Sequence, residues 1–400
     1  MGVASPLGIT VEDFWKNLLD GDTGVATLTD IDLSKCRTKF GAPVRGFDPE
    51  EHFSHRERKR LSRATQMGLL ASDQVMAGLD SLNGDPYRRG VIIGSSIAGY
   101  SAAEAHFKDY FAGPAKGNPF VISKVMNIAP GSNMSIRYGF KGPLVTTDAA
   151  CASAAQAVGF AYQQIQHGYM DMALVGGADT SLTPAVMQAW SKMRVLSERN
   201  ENPPEACRPF SRDRDGIVLG EGAGVLLVES ESSARGRGAE ILAEVSGYAA
   251  TSDGHHITQP SEEGPSEAMR LALENAGIAP EEVDYINAHA TATQWNDKNE
   301  TSAIKKALGE HAYDVPVVGI KAAIGHSIAA SGALELISVV LSIRDNIVPS
   351  TINVFEPDPD CDLDYVTEGK RAVEINHAVS NSFAFGGSNA VVVVSRYSGS

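Results

Sequence analysis

Cysteine is scarce in this chain and scattered. Four occur in 400 residues (Cys36, Cys151, Cys207 and Cys361). They form no Cys-x-x-Cys pair and no Cys/His cluster with zinc spacing, which argues against a structural metal site or a disulfide framework. Long apolar runs are also missing. No stretch approaches the roughly 20 residues that a membrane helix needs, and the N-terminus lacks the basic-then-apolar pattern of a secretory signal. Met1-Gly2 opens like a myristoylation site, but Pro6 stands where Ser or Thr is required. Positive charge is in deficit, with 34 Lys+Arg against 49 Asp+Glu and a net charge of −15. Nucleic acid and anionic membranes, which favour basic surfaces, are therefore poor partners. Low-complexity segments and long linkers are absent. The expectation left is a globular cytoplasmic protein that does not insert into membranes; at 43% apolar residues it can bury a large core, or two moderate ones.

What is present alternates between strand-like apolar runs and helix-period segments. Residues 89–94 (RGVIIG), 172–177 (MALVGG) and 224–229 (GVLLVE) read as buried strands, and 378–382 and 390–395 as the last two. Helical periodicity covers 11–20, 61–79, 154–167, 264–276, 297–308 and 329–344. Strands apolar on both faces, alternating with helices, predict an α/β fold with covered sheets. A faint repeat runs through it. Residues 145–165 read strand, small-residue turn around Cys151, helix; residues 317–343 read strand, small-residue turn around Gly325-His326, helix. Either two ordinary β-α units coincide, or the molecule has two similar halves whose central helices pack closely. A boundary near 240–250 divides the chain into 1–240 and 241–400.

Cys151 lies in Asp148-Ala149-Ala150-Cys151-Ala152-Ser153, after a β-type run and before a helix. Free N–H groups and the positive end of the macrodipole favour a thiolate there. They can also hold an oxyanion. Two histidines follow strand-like runs far along the chain. One is His289, in Asn287-Ala288-His289-Ala290-Thr291, followed by Asn296-Asp297 and Glu300; the other is His326, after Lys321-Ala322-Ala323-Ile324-Gly325 and before Glu335. A third segment is the loop Asn381-Ser382-Phe383-Ala384-Phe385-Gly386-Gly387. Lone histidines are usually structural, but two at strand ends with a helix-capping cysteine point to Cys/His acyl transfer. The residues by themselves do not say which.

Several motifs then occur in order over most of the chain: Ser5-Pro6-Leu7-Gly8, Asp148–Ser153, Val175-Gly176-Gly177-Ala178, Arg208-Pro209-Phe210, Arg212-Asp213-Arg214-Asp215-Gly216, Gly220-Glu221-Gly222-Ala223-Gly224, the two histidine segments and the Phe-Gly-Gly loop. Together they resemble the elongating, free-standing (type II) β-ketoacyl-[acyl-carrier-protein] synthases. The resemblance implies a thiolase-like fold, with two βαβαβ halves about a pseudo-twofold, and a homodimer. It implies that Cys151 carries the acyl chain as a thioester, with the N–H groups of Cys151 and Phe385 as oxyanion hole. His289 and His326 would stabilise the enolate left when malonyl-carrier protein loses CO2, and Lys321 with Glu335 would fix His326, an ordinary salt bridge being the alternative for that pair. Phe385, with Phe383 and Gly386 beside it, would gate the entrance, and Ile97 would line the acyl pocket. The basic run 55–63 reads either as a solvated helix face or as a landing patch for an acidic acyl carrier protein, with Arg56, Lys59, Arg60 and Arg194 in matching positions. No metal or organic cofactor is expected, since the carrier brings the phosphopantetheine arm.

Chain-initiating relatives resemble Cys-His-Asn, and thiolases use a second cysteine near the C-terminus; here His326 follows Gly325 and the last loop has no cysteine. The alternatives are a ketosynthase of a specialised polyketide or polyene pathway and a non-condensing chain-length partner, the latter opposed by Cys151 itself. Three departures from the family pattern stand out. The chain starts within the first turn, without the strand that usually precedes it inside the first sheet. Ala290 and Ala384 replace glycines, and a Cβ at 384 is expected to stiffen the gating loop.

Overall fold

The structure is a computed structural model that describes residues 1–79, 82, 84–113 and 117–399. Its centre is two five-stranded mixed sheets. The first contains β1 (Gly2–Ala4), β2 (Arg89–Gly94), β3 (Leu144–Thr147), β4 (Met172–Thr180) and β5 (Glu221–Glu229), in the order β1-β5-β4-β2-β3. The second contains β6 (Glu244–Ser252), β7 (Tyr285–Asn287), β8 (Val317–Val318), β9 (His377–Ala384) and β10 (Ser388–Ser395), in the order β6-β10-β9-β7-β8. Counted within each half, both orders are first-fifth-fourth-second-third. The pairing directions also agree. In each half the first and fourth strands run antiparallel to the fifth, and the second runs parallel to both the fourth and the third. The faint repeat in the sequence is therefore a duplicated architecture rather than a coincidence of two β-α units.

The helices used below are α1 (Val11–Leu19), α2 (His55–Arg60), α3 (Arg63–Ala77), α4 (Tyr100–Ala112), α5 (Ser153–Gln166), α6 (Pro184–Lys192), α7 (Glu263–Ala276), α8 (Gln294–Leu308) and α9 (Ser331–Asp345). Their starts follow local chemistry. Thr10 caps α1 by accepting the Asp13 N–H, and Ser54 and Glu57 form a capping box on α2. Helix α9 is buried on every side from Ser331 to Ile343, as its run of apolar and small residues requires. Its N-terminal end meets that of α5 at the molecular centre. A Cβ on Gly332 would lie 3.2 Å from the Ala155 nitrogen, and one on Gly177 in β4 would lie 2.5 Å from the Ala329 oxygen. Small residues at both sites let the two halves approach closely enough to share one site.

Two expectations need correction here. The opening strand is present as β1, but only three residues pair, with 223–225 of β5, and it lies at the edge of the sheet rather than inside it. Beyond Val225, β5 borders a cavity of about 820 Å³ lined by Met1, Leu226, Leu336 and Val340 among others. The strand expected at 317–320 is only Val317–Val318; a helical turn, Lys321–Ile324, intervenes before Gly325.

Candidate active site

Three segments arrive from different strands. Cys151 sits in a 3-10 turn, Ala150–Ala152, that feeds directly into α5. His289 follows β7 and His326 follows the Lys321–Ile324 turn. They are 6%, 2% and 1% exposed, so their polar groups must find partners in the protein. His326 Nε2 lies 3.0 Å from Cys151 Sγ. One ligand-type atom of each of the three side chains falls within a 4.8 Å cluster. The imidazoles stand edge to face, with centroids 5.6 Å apart and planes at 86°.

The tautomers follow from the partners. Lys321 Nζ lies 3.3 Å from His289 Nδ1 and also contacts Glu335. An ammonium can only donate, so Nδ1 of His289 accepts and the proton sits on Nε2. The Ile328 N–H donates to His326 Nδ1 at 3.3 Å, with the Ser331 hydroxyl 2.8 Å away. His326 therefore also carries its proton on Nε2. Burial, reinforced by the Lys321 charge, holds both imidazoles well below their ordinary range, so both are neutral near pH 7. The pair Lys321–Glu335, fully buried, thus hydrogen-bonds His289 and not His326 as the sequence suggested, and reaches His326 only through the Lys321 charge. His326 is oriented by Ser331 on α9 instead, a partner that only the fold brings near.

Burial also dominates at the sulfur, pushing the Cys151 thiol up to about 12. The opposing influences are the Lys321 charge and the N–H groups of Phe385 and of Cys151 itself. The resting group is therefore a thiol, contrary to the thiolate that a helix terminus alone would favour. The two N–H groups converge on the sulfur from separate segments.

Behind the histidines, Glu300 on α8 accepts the N–H groups of His289 at 2.7 Å and Ala290 at 2.8 Å, and Asn381 bonds it from β9. Burial raises Glu300 to about 7. Asp179, at the end of β4, was not singled out from the sequence. It accepts N–H groups from Ile97 at 3.0 Å, Ser96 at 3.4 Å and Ala329 at 3.3 Å, tying the Ile97 segment to the turn after His326. An Asp inside a strand-end motif gives no signal of this by spacing.

Backbone strain gathers at the same place. Ala150 precedes Cys151 with φ +47°, Ala290 follows His289 with φ +44°, and Ile328 lies two residues after His326 with φ +50°. A left-handed conformation costs an L-residue about 1–2 kcal/mol. Ala290→Gly should therefore remove strain worth more than the ~0.5–1 kcal/mol that glycine loses in backbone freedom. The expected result in urea unfolding is an unchanged or slightly higher midpoint; a clear fall would mean that the Ala290 methyl contributes more by packing. Ala384 differs: it lies in β9 opposite Ser388, in extended backbone, so the anticipated conformational restriction does not apply there.

The remaining sequence candidates are nearby or exposed. The Phe383 ring is 5.9 Å from His289. Phe385 begins the tight connection between β9 and β10, where Gly386 has φ +88° and donates its N–H to the Ile257 oxygen at 2.7 Å. Ile97 belongs to an apolar cluster with Ile328 and Met187. Arg56, Lys59 and Arg60 are exposed on α2 and form no ion pair among the described residues, whereas Arg58 pairs with Glu50. Arg60 lies over the Phe120 ring at 4.9 Å, and exposed Arg194 has φ +58°.

A duplicated α/β molecule that brings a cysteine at a helix start against two neutral imidazoles is a thiolase-like acyl-transfer enzyme. Its sequence matches the family models "Beta-ketoacyl synthase, N-terminal domain" over residues 1–234 and "Beta-ketoacyl synthase, C-terminal domain" over 242–355. The chain belongs to the beta-ketoacyl synthase family. It is 40% identical over 405 residues to 3-oxoacyl-[acyl-carrier-protein] synthase 2 of Synechocystis sp., covering 99% of this chain and 97% of that protein. The Coxiella burnetii protein of the same name is also 40% identical, over 402 residues, with the same coverage. Among solved structures, a ketosynthase of a type II polyketide system, bound to its acyl carrier protein and a hexaketide, superposes with TM-score 0.91 at 30% identity, covering 99% of this chain and 97% of that one. The ishigamide ketosynthase/chain length factor gives 0.91 at 32% identity with the same coverage.

Proposed function

We propose that the chain elongates fatty acyl groups by condensing an acyl unit held on Cys151 with malonyl-carrier protein, the chemistry for which its 40%-identical relatives are named. The observation that carries this reading is the pair of Nε2–H donors beside one buried sulfur. In the first step the Cys151 sulfur attacks the acyl thioester, its proton leaves with the carrier thiol, and the acyl group becomes bonded to Sγ. In the second, malonyl thioester loses CO2. The negative charge moves onto the thioester oxygen, where His289 and His326 donate hydrogen bonds. No proton has to be abstracted, so neutral donors suit the step better than a base. The enolate carbon then attacks the acyl carbonyl. The resulting oxyanion is held by the N–H groups of Cys151 and Phe385, and its collapse expels Sγ, which recovers a proton. Phosphopantetheine comes with the carrier, and these steps call for no metal.

Intact-mass analysis with acyl-carrier substrates of graded length tests the reading. A mass gain at Cys151 followed by release on adding malonyl-carrier protein is expected, and no acylation at any length would end it. The length profile also separates ordinary fatty acyl chains from polyketide-type units.

The acidic partner would land on α2. Exposed Arg56, Lys59 and Arg60, without ion pairs among the described residues, offer positive charge on a chain of net charge −15, and exposed Arg194 would add to it. Lys59→Glu with Arg60→Glu should raise KM for carrier-borne substrates about tenfold at low salt and leave kcat nearly unchanged, the gap narrowing as salt screens the patch. An unaltered KM would place docking elsewhere. A homodimer completes the proposal: β3 has one edge unpaired among the described residues, and Tyr100, Phe107, Phe111 and Met126 expose apolar surface on and near α4. The proposed location is the cytoplasm. No helix among the described residues is long and apolar enough to cross a membrane.

A further inference from the structure

We propose that Trp190 is the latch of the gate over Cys151, and through it a determinant of which acyl groups enter. The inference rests on the acyl-transfer reading for its biological meaning, but its geometry stands apart from it. The Phe385 ring lies stacked on the Trp190 indole, with centroids 5.6 Å apart and planes at 20°. The Phe385 N–H acts on Sγ, so its backbone is tied to the reacting atom while its ring is held by Trp190. Trp190, in the last turn of α6, packs with Ile97, Leu182 and Val195 around buried Met187 and Ile328. The indole therefore joins the gate to the apolar cluster that contains the pocket residue Ile97.

The connection that carries Phe385 turns on two glycines. Gly386 and Gly387 have φ of +88° and +73°, and a Cβ on Gly386 would meet nothing within 4 Å. Space is open beside Gly386 only, since Gly387 packs against Asp253 and accepts its N–H at 2.8 Å; the movement therefore falls to Phe385 and Gly386, at the cost of the Gly386 N–H bond to the Ile257 oxygen. With Phe385 as the gate that the family resemblance implies, admitting an acyl group to Sγ moves its ring and so unstacks it from Trp190. Such a stack shifts a closed–open equilibrium by about two- to tenfold toward closed. Replacing the indole with a side chain that keeps the apolar packing but loses the flat face should raise the open population by that factor. The gain should be greatest for bulky groups, which need the widest opening.

The experiment compares wild type, Trp190→Phe, Trp190→Leu, Phe385→Leu and the Trp190→Leu/Phe385→Leu double variant. Two readouts are taken: the rate of Cys151 alkylation by N-ethylmaleimide, and the rate of Cys151 acylation by carrier-borne chains of graded length. Trp190→Leu should speed both about two- to tenfold, Trp190→Phe should stay near wild type, and in the Phe385→Leu background Trp190→Leu should change little, the mark of one shared interaction. Independent, additive effects of the two substitutions would overturn the proposal, as would slower alkylation in Trp190→Leu at unchanged thermal unfolding temperature. If Trp190→Leu proves unstable, Trp190→Met replaces it with the same expected acceleration. Alkylation needs no carrier protein. Wild type that alkylates but is never acylated would defeat the proposed function, whereas equal alkylation rates in all variants would defeat the latch.

Discussion

Cys151→Ala should abolish condensation, lowering turnover by about four orders of magnitude or more, as expected when a covalent nucleophile is removed. The protein should stay folded, because alanine already flanks the site at Ala150 and Ala152 and the lost sulfur is small. Cys151→Gln makes the complementary point. It cannot carry an acyl group, yet it leaves the Nε2–H donors of His289 and His326 in place. Decarboxylation of malonyl-carrier protein should therefore persist in Cys151→Gln while condensation is lost, measured as CO2 release against 3-oxoacyl product. The pH dependence of that residual activity follows from the imidazoles. Burial and the Lys321 charge depress both, so they remain neutral below the ordinary histidine value of about 6.5. Decarboxylation should stay flat from about pH 8 to about pH 6, where ordinary imidazoles would already be largely protonated. A rate halved near pH 6.5 would mean that protonation of an unperturbed histidine switches the step off. The same depression has a consequence for stability. Below about pH 6.5 the unfolded chain binds protons that the folded site refuses, so stability falls as pH falls from there toward the folded values.

Much of this was legible before any coordinates. Strands at 89–94, 172–177 and 224–229 announce themselves because both faces are apolar, the structure extending the last two to 172–180 and 221–229, and the helices at α1, α3, α5 and α7 to α9 because their apolar residues recur at helical spacing. Cys151 was visible as a thiol between a strand and a helix, and the histidines as residues past strand ends. Which group orients which imidazole was not visible. Lys321 stands five residues before His326 and 32 after His289, yet it bonds His289, because the Lys321–Ile324 turn places its ammonium between His289 and Glu335. Ser331, an unremarkable helix-start serine, orients His326. Asp179 and Trp190 act through tertiary approach alone, with no spacing or motif to mark them. The thiol's protonation state also went the other way. A helix terminus can be read from sequence, but the desolvation that outweighs it depends on what the rest of the chain places over Cys151.

Lys321→Met should cost both stability and decarboxylation, and the two losses should separate. The ammonium and the Glu335 carboxylate are each 0% exposed and bonded to one another. Removing only the cation leaves a buried carboxylate without a counter-charge, a change that typically costs about 3–5 kcal/mol. Converting both partners, as Lys321→Met with Glu335→Leu, removes the stranded charge along with the pair, so most of the lost stability should return. Activity should not return with it. Lys321 also donates to His289 Nδ1 and so holds that ring's proton on Nε2. Without the ammonium the second tautomer becomes accessible, the donor toward the thioester oxygen is lost for part of the time, and His289 protonates at higher pH because a depressing charge has gone. In the double variant, decarboxylation should remain reduced by about tenfold to a hundredfold, the scale expected when a group that orients a catalytic histidine is removed. Its acid limb should also move to higher pH. Chemical denaturation together with a pH–rate profile of decarboxylation reads both quantities. A double variant that recovers stability, rate and wild-type pH profile together would reduce Lys321–Glu335 to an ordinary buried salt bridge, the alternative that sequence alone left open.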